Sequence, residues 1–124
     1  MSSMQMPNIE FGLRTLSTKD EQTGAWIGYI PLLRLYSQAK DEKTLDEALC
    51  QTARSFIGLC WHRKILDKVL HERGMRKRSS EALEKIKQAK GQYIIVGGEV
   101  EQDGYQDVPV ELLAGKQNLI ECQL

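Results

Sequence analysis

Gly24-Ala25-Trp26-Ile27-Gly28-Tyr29-Ile30-Pro31, followed by Leu35-Tyr36-Ser37-Gln38 and then by Thr44-Leu45-Asp46-Glu47-Ala48-Leu49, is the most informative stretch of this 124-residue chain. Trp26 to Ile30 reads as a strand, with Trp26, Gly28 and Ile30 on one face and Ile27 and Tyr29 on the other. Pro31 ends or edges it, because proline has no amide to give to a ladder. Leu33, Leu35 and Ser37 alternate with Arg34, Tyr36 and Gln38 in a further strand. Upstream, Asn8 to Leu16 alternates at Ile9, Phe11 and Leu13 as a half-buried strand, and polar Ser17–Gly24 links it to the next. Three successive strands with short connections predict an antiparallel meander.

Thr44 opens a helix. Thr44-Leu45-Asp46-Glu47 fits a capping box, in which the threonine hydroxyl accepts the third amide and Glu47 reaches back to the cap. The helical pattern continues to Arg73, with Gly74 placed to end it and a kink near Gly58 or a break as the alternative to one long rod. Leu45, Ala48, Leu49, Thr52, Phe56 and Leu59 form the ridge expected on the meander. Ile57, Trp61 and Ile65 fall on the far side and predict a protein interface centred on Trp61, or a stripe covered by the chain's own C-terminal part.

Beyond Gly74, Ser79-Ser80 offers a cap for a short helix carrying Ala82, Leu83, Ile86 and Ala89, with Gly91 at its end. Gln92–Gly97 reads as a strand, 101–105 as a turn, 107–113 as a strand or a turn entering a helical piece, and Leu119–Cys122 as a terminal strand. The expected fold is therefore α+β: a three-stranded antiparallel meander packed on one long helix, with a smaller mixed α/β C-terminal extension. Residues 8–74 form the main unit, and 75–124 complete the sheet or mediate self-association.

Hydrophobic content of 41% and charged content of 27% suit a globular chain long enough for one core. No apolar run reaches the roughly 18 residues a membrane span needs, and the N-terminus lacks a secretory pattern, so a cytoplasmic location is expected. Cys50 and Cys60 would lie about 15 Å apart on one helix, which excludes a disulfide between them, and three reduced thiols are the plain reading. Net charge is zero, yet residues 62–78 hold seven Lys/Arg against Asp67 and Glu72. Residues 79–124 hold four Lys/Arg against eight Asp/Glu. The basic stretch suits an anionic partner, or is neutralised by the acidic C-terminal part folding back. Arg76, Lys77 and Arg78 are its densest point and the candidate nucleic-acid contact.

Catalytic chemistry finds little footing. His62 and His71 are nine apart and point to different sides of a helix, no cysteine pair has zinc-ligand spacing, and no cofactor motif is present. No nucleophile elbow occurs, and Cys60 lacks a matched base. Glu10 and either Asp46 or Glu47 supply two carboxylates, with no third and fourth to complete a two-metal nuclease site.

Gly24, Trp26, Tyr29, Pro31, Ser37-Gln38, Thr44 and Glu47-Ala48 also stand in the order and at the approximate spacing of HicB-like antitoxins, a family with a truncated RNase H-like half-fold. The chain resembles that family over roughly residues 8–74, departing at Ala39, where glycine is usual, and at Lys40–Lys43, which lengthen the step into the helix. The resemblance implies a non-enzymatic module that binds a small basic toxin ribonuclease and forms a dimer or higher homo-oligomer. Residues 75–124 match neither DNA-binding segment that family members carry. A dimeric nucleic-acid-binding regulator working through the basic 63–78 stretch is the alternative reading.

Overall fold

The computed structural model describes residues 8–97, 102–106 and 116–123. The chain is α+β, with a seven-stranded antiparallel sheet carrying helices on both faces. Strands β1 (Asn8–Lys19), β2 (Trp26–Ile30) and β3 (Leu35–Ala39) form the expected meander, and helix α1 (Glu42–His62) packs across it. There follow α2 (Leu66–Glu72), β4 (Arg76–Arg78), α3 (Ser80–Gln88), β5 (Tyr93–Gly97), β6 (Gln102–Gln106) and β7 (Lys116–Gln123). β4 to β7, from the C-terminal segment, belong to the same sheet as the meander.

β1 organises everything because it is long enough to take three neighbours. Along one edge it pairs with β7 from Glu10 to Ser17. Its other edge is shared, with β5 opposite Asn8–Gly12 and β2 opposite Leu16–Lys19. Arg14 faces the gap between those two strands. Its amide would be orphaned there, and the side-chain oxygen of fully buried Gln92 accepts it at 2.8 Å. Ile9, Phe11, Leu13 and Thr15 point to the α1 face and are buried, as strand alternation requires.

In the β1–β2 loop, Asp20 bonds the Gln22 amide and the Thr23 hydroxyl, and Gly24 takes φ +77° to close it. Gly28 lets α1 approach β2, since a Cβ there would lie 2.7 Å from Leu49 Cδ1 and 3.1 Å from Leu45 Cδ1.

α1 departs from expectation in three respects. Its cap is Asp41, whose carboxylate accepts the Thr44 amide and hydroxyl, each at 2.7 Å. Thr44 is therefore a donor inside the first turn, and the helix starts before the predicted box. The single rod to Arg73 is broken at Arg63–Ile65, where Lys64 adopts φ +59°, while Gly74 (φ +89°) follows α2 as the stop. The buried row is Leu45, Leu49, Ala53, Ile57 and Cys60, so Leu59, expected on the meander, is 50% exposed.

α3 forms as read, with Ser79 capping the Ala82 amide at 3.2 Å. The expected turn at 101–105 is instead β6, which joins β5 to the edge strand β4. The reading of 107–113 falls outside the described residues. The core runs from Ile30 and Leu33 through the α1 row to Leu70, Met75 and Ile94.

Candidate interaction surface

The predicted interface residues do not form one surface. Ile57 is 0% exposed within the sheet-facing core, which corrects its assignment to the far side. The helix is apolar on several sides, and the sheet selects the row that fits over Gly28. Trp61 is half-buried against that core, with its ring edge-on to His62 at a centroid distance of 5.4 Å. Ile65 lies past the helix break as the cap residue of α2 and is 38% exposed.

Arg76, Lys77 and Arg78 are exposed on β4 at the sheet's edge. Alternation sends Lys77 to the opposite face from the two arginines. Lys77 Nζ lies 3.7 Å from Asp67 on α2, and Arg76 donates to the Met75 carbonyl at 3.5 Å. The basic run is thus divided between two faces. His62 and His71 are exposed on α1 and α2, and no group of three metal-ligating side chains occurs among the described residues.

The carboxylates are separated by the sheet. Asp46, on α1, accepts from Asn118 Nδ2 at 3.3 Å. Glu10 projects from the other face, 3.1 Å from Lys87 Nζ, and accepts the Tyr93 hydroxyl at 3.2 Å. Lys87 sits 5.5 Å from the centre of the Tyr93 ring. Burial, then the charges of Glu10 and Glu121, pushes the Tyr93 hydroxyl well above the usual tyrosine value, so it remains a proton donor. Carboxylates on opposite sides of a sheet cannot converge on one metal pair.

The cysteines correct the expectation of three free thiols. Cys50 of α1 is bonded to Cys122 of β7, with Cα atoms 6.1 Å apart. Pairing β7 with β1 carries Cys122 under the helix, a proximity that spacing along the chain does not reveal. Cys60 is a buried free thiol, and burial raises its pKa.

Two features escaped sequence reasoning. Tyr29 and Tyr36, paired across β2 and β3, stack at 4.4 Å on the face away from α1, and Tyr36 is 67% exposed. Alternation placed Tyr29 on that face, but the cross-strand register was needed to find its companion. Second, a groove of about 420 Å³ runs between α1 and β7, bounded by Asp46, Glu47, Gln51 and Arg54 on the helix and by Leu119–Glu121 on the strand. Asp46 and Glu47 against the one guanidinium of Arg54 make it acidic, while the Glu121 side chain turns to the other face, toward Tyr93. Sequence reasoning placed Glu47 at the start of the helix but gave no groove beside it.

Among the described residues no helix is long and apolar enough to cross a membrane. Compared with family models, with curated proteins and with solved structures, the chain finds no match.

Proposed function

We propose that this chain is a non-enzymatic protein-interaction module resembling the HicB-like antitoxins, whose work is to bind and occlude a small basic toxin ribonuclease. The observation that carries the reading is the acidic groove between α1 and β7, whose Asp46 and Glu47 complement a cationic protein. The meander followed by a capped helix supports it, because the residues behind the resemblance occupy that unit: Gly24 in the loop, Trp26 and Tyr29 on β2, Glu47-Ala48 on α1. Co-expression with the product of the neighbouring reading frame, if small and basic as the reading requires, tests it. The expected result is a complex that survives purification and suppresses the partner's RNA cleavage. A neighbour that neither co-purifies nor is inhibited defeats the proposal.

The alternative, nucleic-acid binding through the basic stretch, is supported by the exposure of Arg76 and Arg78 on one face of β4. Salt separates the two: duplex binding falls steeply as salt rises, and replacing both arginines flattens that slope.

A further inference from the structure

Strand alternation determines which backbone groups of β7 look outward. The Arg14 amide points to the β2/β5 edge of β1, so the odd residues of β1 bond to β7. By register, Phe11, Leu13 and Thr15 lie opposite Cys122, Ile120 and Asn118, which therefore bond inward. Leu119, Glu121 and Gln123 turn their peptide groups away from the sheet. The Gln123 carbonyl is already taken, by Arg54 Nε at 2.7 Å. Among the described residues no strand pairs with this outer side of β7. The acidic groove lies along it, so a ladder edge that no described strand pairs with coincides with a wall carrying Asp46 and Glu47.

We propose that the outer edge of β7 is a strand-addition site, where an extended segment of a partner protein bonds the outward peptide groups of Leu119 and Glu121 and sets lysine or arginine side chains against Asp46 and Glu47. Unpaired edges are templates for this kind of docking, in which main-chain bonds give affinity and side chains facing the wall give selectivity. A second copy is the poorer occupant. Self-pairing of β7 would set two acidic walls face to face, and adding the basic edge strand β4 of a neighbouring copy would be head-to-tail, extending into open chains. The inference rests on the reading of the chain as a protein-interaction module.

The test uses the full chain and a labelled peptide of alternating lysine and valine, with a glutamate–valine analogue and two analogues N-methylated on either alternate set of amides. Strand addition slows amide exchange at Leu119 and Glu121, favours the lysine peptide, and makes one N-methylated analogue about tenfold weaker while sparing the other. Leu119→Pro removes an outward N–H without touching a bond to β1 and weakens binding by about the same factor. Glu47→Lys, on the exposed wall, also weakens it and serves should the proline variant fail to fold.

Lysine-peptide binding without protection of those two amides overturns strand addition and leaves the interaction-module reading standing. No binding at millimolar peptide overturns it as well. Protection that grows with protein concentration alone, together with a doubled mass, assigns the edge to a second copy and overturns it too. Failure of the neighbouring protein to co-purify, by contrast, sinks the toxin reading without altering the peptide result.

Discussion

Tyr93 shows how much one missing side chain can organise. Its ring lies over Gly12, where a Cβ would come 2.5 Å from Cε1 and 3.1 Å from Cδ1 and Cζ. Gly12→Ala therefore displaces the buried ring and is expected to cost about 1–3 kcal/mol, read by urea unfolding. The hydroxyl makes a second, pH-dependent contribution. The unfolded chain releases the phenolic proton near pH 10, whereas the folded chain, with its raised value, retains it. Stability is then fully present below about pH 10 and falls as pH rises beyond it, because the unfolded state binds fewer protons there. Tyr93→Phe should cost about 1 kcal/mol at neutral pH and reduce that alkaline decline, with the two chains compared by unfolding on either side of pH 10. The sequence offered Tyr93 only as a strand residue, since its partners Glu10 and Lys87 come from a distant strand and from α3.

α1 was legible in extent to within a few positions at its start and misread in orientation. Leu45, Leu49, Ala53, Ile57 and Cys60 compete with Phe56, Leu59 and Trp61 for the role of buried stripe, and periodicity alone does not choose between rows this close in angle. Contact with Gly28, and the bond from Cys50 to Cys122 on the helix flank, settle the rotation. A break was foreseen as an alternative, but its position after His62 was hidden, because Arg63, Lys64 and Ile65 contain neither glycine nor proline. Lys64 bears the cost of a left-handed backbone at φ +59°. Lys64→Gly is expected to stabilise the protein by about 0.5–1 kcal/mol, measured as a higher denaturation midpoint with an unchanged slope. A destabilised variant would show that the lysine side chain contributes more than its backbone costs.

One sheet joins residues 8–74 to the segment that the sequence left either completing the sheet or mediating self-association. Phe11 pairs with both Ile94 and Cys122, so β1 has companions from the C-terminal half on both edges. A fragment of residues 8–74 keeps the motif-bearing meander and α1 but loses β5, β7 and the disulfide. It is expected to show no cooperative unfolding transition and little dispersion in its amide spectrum; a well-folded fragment would restore the two-unit division. What could be settled from residue order alone is local: alternation in β1, β2 and β3, the Ser79 cap of α3, the stop at Gly74, and hence an α+β chain with a meander before its long helix. These depend on backbone geometry and on neighbours a few positions apart. The sharing of β1 by three strands, the Cys50–Cys122 bond across a separation of 72 residues, the row that α1 buries and the acidic groove beside β7 came only with the folded chain. Each depends on which of several compatible faces and edges win the competition for burial, and a one-dimensional pattern carries no information about that outcome.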